Sequence, residues 1–441
     1  MQVQLQLMLV RGGPQLQLFL AENRLECWSG PFQMQVITYS IAKHRILESY
    51  LAAYFQTLVG GQPRDEFKLT LVDGFAGGGL YFHEDTRQPV LGSPFIFLNA
   101  EREAEFLINN GRTKPVRLDI SHFFVEAKRD AFLHLDHMLR QEGYGDRLGK
   151  SIQMRHAKFE DEAASIIEFI KKKSPRNGRS IFALDQFGYN AVPTSLIKKI
   201  LHTLPGAEII LTFAVDSLLN YANEKIFANG LKRIEVPDIL KGRSIREIKD
   251  SDRDWRLLIQ STLYSALVAQ CGAKHYTPFF VRNTSGHGDY WLIHLSQHHR
   301  ARDVMTDVHW KNQNYFIHYG GAGLNMFNML GYDPTFDTKH RGQSELGFEF
   351  DPLARKASIA ALMDQIPNII YAHEEGLSYG VLYATTCNDS PASGEIYQDA
   401  LEQLIIENVI EVISDTGGRK KAARQIKTSD QIVAPAQRRL F

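Results

Sequence analysis

The sequence predicts an α/β protein: a mostly parallel sheet with helices between its strands and an antiparallel hairpin at its end, followed by a small helical unit with a hairpin of its own. Three observations predict it. Five β-prone runs, at 67–72, 122–126, 152–156, 180–184 and 208–213, alternate with stretches of helical periodicity, and each gap is long enough for a right-handed crossover. Two further β-prone runs, at 276–282 and 290–295, flank the turn-rich segment 283–289 and so read as antiparallel. Residues 329–352 are then rich in Gly, Asp and Pro with little periodicity, which marks a domain boundary.

In chain order, residues 1–40 form an N-terminal extension and 41–58 a covering helix stopped by Gly60 and Gly61. Helices are predicted at 95–102, 129–140, 162–172 and 194–202, the last introduced by Pro193. Residues 218–270 are long, charged and mostly helical in pattern, and read as an insertion within a domain spanning 41–328. After the 329–352 linker, helical stretches at 353–366, 378–385 and 393–407, a strand at 409–414, a basic turn at 416–421 and a strand at 431–433 give a winged-helix-like domain over 353–435, with 436–441 as a tail. Five parallel strands finished by an antiparallel hairpin is the order of a class I S-adenosylmethionine (SAM) methyltransferase sheet, whereas a nicotinamide dehydrogenase would finish parallel.

Composition narrows the function classes. With 441 residues, 44% hydrophobic and 23% charged, the chain can bury two or three cores. Lys plus Arg equals Asp plus Glu at 50 each, so any nucleic-acid contact must come from a local patch. Cys27, Cys271 and Cys387 are far apart and lack CxxC spacing, which argues against a disulfide framework or zinc site and for a reducing cytoplasm. Residues 1–20 lack the cationic start and apolar run of a signal peptide, and no run of about 18 apolar residues predicts a membrane span.

The chemistry gathers at strand ends. Asp73 opens the loop Asp73, Gly74, Phe75, Ala76, Gly77, Gly78, Gly79, where glycines leave room for a ligand to approach the backbone; a purely steric Gly-rich turn is the alternative. Glu126 closes the second strand, where an acid can accept ribose hydroxyl hydrogens. Its wide separation from Asp73 is explained by extra chain between Gly79 and Pro94. Asp161 either contacts an adenine amine or caps a helix. The fourth strand ends in Asp185, Gln186, Phe187, Gly188 and Tyr189, which resembles the D-P-P-Y and D-P-F-G loops of amino-methyltransferases, with Gln186 in place of proline. Asp185 would orient an amine, and Phe187 and Tyr189 would hold a base or stabilise a cation.

Together with Leu80 and Tyr81, Gly92 to Pro94, Val192 and Pro193, His294 to Ser296 and Arg300 to Met305, these segments resemble the three-Cys-motif partner family over roughly residues 41–435. The resemblance implies a methyltransferase-like fold in a bacterial two-gene pairing with a radical-SAM-like protein bearing three clustered cysteines.

His294, His298, His299, His309 and His318 cluster in the sequence without a metal-binding pattern, and adjacent His298 and His299 are expected to point apart. Arg300 and Arg302, with Lys311 and Trp310, form either a phosphate-contacting surface or a solvated helix face. Arg419, Lys420 and Lys421, with Arg424 and Lys427, sit where a wing meets a nucleic-acid backbone or a docking partner. The reading is a SAM-dependent, methyltransferase-like protein acting on an amine of DNA or RNA. The alternative is a non-catalytic adaptor whose α/β domain binds SAM or a nucleotide and whose winged helix docks a partner enzyme.

Overall fold

Helix α1 (Thr38–Phe55) runs into a parallel sheet made of β1 (Glu66–Asp73), β2 (Arg117–Val125), β3 (Ile152–Arg155), β4 (Ser180–Leu184) and β5 (Ala207–Phe213). The antiparallel strands β6 (His275–Val281) and β7 (Tyr290–Ser296) complete it in the order β3-β2-β1-β4-β5-β7-β6. That is the class I SAM-methyltransferase order the alternation predicts. This computed structural model describes residues 35–36, 38–60, 64–83, 88–186, 191–214, 224–236, 239, 242–244, 246–247, 255–281, 290–312, 317–318, 322–324, 348–420 and 426–435. The predicted signal-free start, the turn at 283–289, Phe187, Tyr189, Lys421, Arg424, the 436–441 tail and nearly all of the 329–352 linker lie outside the described residues.

Both faces of the sheet are buried, so its central strands read as apolar runs. Alternate residues serve opposite layers with the period of two a strand imposes. Phe67, Leu69 and Leu71 pack with α1, α2 (Ser93–Asn109) and α3 (Arg129–Gln141), while Val72 joins the opposite core, with α4 (Phe159–Lys173) and α5 (Thr194–Thr203). Helix α4 matches its own dipole, with Glu160, Asp161 and Glu162 in its first turn and Lys171, Lys172 and Lys173 in its last. Helix α2 begins at Ser93 with Pro94 in its first turn and is longer than its periodicity predicts.

The expected insertion does not stand apart. Within it, α6 (Glu224–Arg233) and α7 (Trp255–Cys271) put Leu231, Ile259, Leu263 and Leu267 into the same core as β4 and β5, and α7 lies against α5. The extra chain before α2 forms a short hairpin, Leu80–His83 with Pro89–Leu91.

Beyond β7, α8 (His299–Lys311) lies against α1 and carries the second domain. That domain follows winged-helix order: α9 (Pro352–Tyr371), β8 (Leu377–Ser378), α10 (Tyr379–Thr386), α11 (Gly394–Ile406), β9 (Glu411–Ile413), β10 (Arg419–Lys420) and β11 (Gln431–Val433). Its four strands pair β8-β11-β9-β10.

The seam between the domains is polar and closed. The Arg302 guanidinium, 1% exposed, donates to the Ser390 and Ala392 carbonyls, the latter at 2.8 Å. Asp303 accepts the Tyr383 hydroxyl at 2.9 Å and the Gly394 amide at 2.6 Å. Trp310 donates its indole N–H to the Pro391 carbonyl at 2.9 Å. Arg302 is therefore an interdomain tie, not part of a phosphate-contacting surface: its charge is spent on carbonyls that would otherwise be buried unpaired. We predict that Arg302→Ala lowers unfolding free energy by about 3 kcal/mol or more, because a fully buried side chain and several charged hydrogen bonds go together. Urea denaturation measures this, and a loss under about 1 kcal/mol would contradict the seam's role.

Candidate active site at the carboxyl ends of the parallel strands

The loop after β1 is laced to both neighbouring strands. Gly74 donates its amide to the Ala183 carbonyl of β4 at 3.0 Å, and Ala76 donates to the Val125 carbonyl of β2 at 3.0 Å. Asp73 Oδ1 accepts the Phe75 amide at 3.1 Å. Gly77, at φ +62°, turns its amide onto Glu126 Oε2 at 2.8 Å, while Glu126 Oε1 accepts the Lys128 amide at 2.7 Å. Each carboxylate oxygen keeps a lone pair for a ligand hydroxyl. A cavity of about 230 Å³ opens here, lined among others by Phe75, Gly77, Glu126, Phe159, Glu160 and Arg233.

The structure brings Asp73, Phe75, Gly77 and Glu126 together but divides the remaining predicted positions. Asp161 is exposed in the first turn of α4 and is not that helix's cap, which is Lys158; its neighbour Glu160 lines the cavity instead. No periodicity separates two adjacent acids before the helix phase is known. Gly79, at φ +82°, faces the core: a Cβ there would stand 2.7 Å from Leu135 and 2.9 Å from Phe95. It is a packing glycine. A Cβ on Gly77 would overlap the Tyr81 hydroxyl, so the Gly77 space is filled by the chain's own tyrosine.

Asp185 lies at the end of β4, with the buried Lys43 of α1 contacting both carboxylate oxygens at 2.7 Å. Burial works against its charge, but the Lys43 ammonium outweighs it and holds the carboxyl below the usual carboxylate range. Gln186 does by hydrogen bonding what a proline does by ring closure. Its oxygen accepts the Ala191 and Val192 amides at 2.8 and 3.2 Å, and its nitrogen donates to the Thr212 carbonyl at 3.2 Å. Lys43 carries no local sequence signal, since it lies 142 residues from Asp185, and the Gln186 brace joins amides 5 and 6 residues on to a carbonyl 26 residues away.

The acids at the strand ends share the site with cations: Lys128, Lys158 and Arg233 line the cavity beside Glu126 and Glu160. Burial, with the nearby charges of Asp185 and Glu126, pushes Asp73 up to about 7, against the pull of the Ser93 hydroxyl and the Phe75 amide. Asp73 Oδ2 is buried without a hydrogen-bond partner among the described residues. A buried carboxylate oxygen left unpaired in this way is one that a ligand donor or cation could satisfy.

Elsewhere, His298 and His299 do not point apart: their rings stack with centroids 4.7 Å apart. Among the described residues, no group of three or more His, Cys, Asp or Glu could hold a metal ion, and no helix is long and apolar enough to cross a membrane. In the wing, Arg419 is exposed and pairs with Glu411 at 3.1 Å, whereas Lys420 is bound to the buried Asp430. The third helix of the winged unit, α11, has no Lys or Arg, and its first amide is held by Asp303.

Comparison with known families and structures gives one family match: the GMT-like wHTH domain, over residues 331–417. The C-terminal domain is a winged helix. No curated protein matches the sequence. Among solved structures, a Legionella pneumophila protein is similar at 8% identity over 58% of this chain and 85% of that one, with a TM-score of 0.32. The bifunctional kinase-methyltransferase WbdD is similar at 11% identity over 61% of this chain and 45% of its own, with a TM-score of 0.31. A putative methyltransferase from Streptococcus mutans, in complex with SAH, is similar at 13% identity over 56% and 95%, with a TM-score of 0.24. The strand order, rather than these likenesses, carries the fold assignment.

Two predictions follow from this geometry. Gly77→Ala should destabilise the protein through the Tyr81 clash, and adding Tyr81→Phe should recover part of the loss, leaving the roughly 1 kcal/mol of left-handed strain; equal melting of single and double variants would refute the packing account. Asp73, raised to about 7 when folded against 3.8 for the free group, binds more protons folded than unfolded between those values. Its contribution to stability therefore falls as pH rises from about 4 to 7. Asp73→Asn should flatten that stretch of the stability profile, measured by denaturation from pH 4 to 8.

Proposed function

We propose that the protein is a SAM-dependent methyltransferase-like enzyme whose acceptor is an amine of DNA or RNA. The observation that supports this best is Glu126, its carboxylate steadied by two backbone amides over a cavity at the carboxyl ends of parallel strands. Bound SAM supplies an electrophilic methyl group. Glu126 accepts the ribose hydroxyls, Asp73 and the Phe75 loop face the cationic end, and Glu160 accepts from the adenine amine. Asp185, kept ionised by Lys43, uses its remaining lone pairs to orient the acceptor N–H so that the nitrogen lone pair faces the methyl group. Phe187 and Tyr189 are assigned the acceptor's aromatic wall. Arg300, 58% exposed and paired with Asp303 at 2.7 Å, and Arg419, paired with Glu411 at 3.1 Å, exchange these exposed ion pairs for phosphate contacts. Lys420 is held back by Asp430, so the wing contributes less than its basic sequence suggests.

The adaptor reading keeps two specific supports: Lys43 occupies both oxygens of Asp185, and α11 offers no cation to a nucleic acid. In that reading the winged helix docks a radical-SAM-like partner with three clustered cysteines.

Calorimetric titration with SAM tests the site. Glu126→Ala should weaken binding about tenfold or more, through loss of charged hydrogen bonds to hydroxyls. Asp185→Asn should bind SAM but lose transfer to mixed DNA and RNA substrates. Full affinity in the first variant or full turnover in the second would refute the assignments. With nucleic acid bound, Arg419→Ala should flatten the slope of log affinity against log salt by about 0.7 to 0.9; an unchanged slope favours the adaptor.

A further inference from the structure

A second cavity, of about 370 Å³, lies at the opposite edge of the sheet, where β4 and β5 begin. Its size is at the lower end of the roughly 300–1,000 Å³ usual for small-molecule sites. The walls supplied by Leu58, Pro205, Ala301 and Val304 are apolar. Polar side chains line it too, among them Glu208, Tyr54 and Arg179, and Arg300, which is paired with Asp303 at 2.7 Å.

Glu208 Oε2 is held by the Tyr50 hydroxyl and by His294 Nε2, the latter at 3.0 Å, but Oε1 has no hydrogen-bond partner among the described residues. Tyr54 is 4% exposed, and its hydroxyl is likewise without a hydrogen bond among the described residues. Burial and then the charge of Glu208 push Tyr54 ionisation well up, while Arg179 pulls it down, so this hydroxyl lies near both charges. The Arg179 guanidinium lies over the Phe67 ring, 5.5 Å from its centroid, and forms no ion pair among the described residues. An acceptor, a hydroxyl and a cationic donor, each without a hydrogen-bond or ion-pair partner among the described residues, are thus left together around one cavity with apolar walls.

We propose that this cavity is a second ligand site, for a zwitterion of the amino-acid class with an apolar side chain. Its ammonium donates to Glu208 Oε1, its carboxylate accepts from Arg179 and the Tyr54 hydroxyl, and its side chain covers Leu58 and Val304. An anion alone would face Glu208, and a cation alone would face Arg179, with Arg300 at the same cavity engaged by Asp303, so the opposite charges left over select a ligand carrying both. The site is distinct from the carboxylate-rich end of the sheet and does not depend on what binds there. The two ends share α1, which carries Lys43 to Asp185 and Tyr50 and Tyr54 to this cavity.

The test is calorimetric titration of the full chain with L-leucine, isovalerate and isopentylamine. Leucine should bind saturably, and each analogue, lacking one charge, about tenfold or more weakly. Tyr54→Phe, which keeps the ring in its packing, and Arg179→Gln, at a half-buried position, should each weaken leucine binding by a similar factor while the variants melt as the wild type does. Absence of leucine binding to the wild type, equal binding of either analogue, or undiminished binding by a folded Arg179→Gln variant would each overturn the proposal.

Discussion

A parallel sheet must bury both of its faces, and in this chain that requirement governs everything else. Helix α1, which precedes the first strand, closes one face together with α2, α3 and α8. Because α1 spans the sheet, its polar residues are delivered to both ends. Lys43 reaches Asp185 where strands finish, and Tyr50 and Tyr54 reach Glu208 where they start. The apolar stripe that seals the core is thus also the ruler that spaces two polar sites.

The carboxyl end of the sheet concentrates acids that burial would discourage singly. Asp73 is pushed toward neutrality, Asp185 is kept charged by a buried lysine, and Glu126 is steadied by backbone amides. Each is treated differently, so the strand ends hold one carboxylate poised near neutral pH, one kept charged by a lysine and one oriented by backbone amides. The glycines serve mainly to let this loop pass between Tyr81, Phe95 and Leu135.

The winged helix is bound to the first domain through the end of α11 that comparable domains turn toward a DNA groove. With Gly394 held by Asp303 and with Glu395 and Asp399 paired to Arg355, that helix is committed to internal contacts. In the wing, among the described residues, Asp430 has already taken Lys420. The fold name alone would suggest a reader of sequence; the contacts describe a module fastened in place.

Sequence alone determined the order of elements, because strand alternation, helical periodicity and Gly or Pro stops act within a few residues. It also placed Asp73, Glu126 and Asp185 at strand ends, since a parallel strand delivers its last residue to one edge whatever lies beyond. It could not choose Glu160 over Asp161, which needs the phase of α4, or see that Gly79 is filled by core side chains and Arg302 by carbonyls of another domain. Nor could it pair Lys43 with Asp185 or Glu208 with His294, 142 and 86 residues apart. Such contacts leave no local pattern: they exist only once packing has brought distant segments within a hydrogen-bond length, and tertiary structure alone decides which charges are free to act.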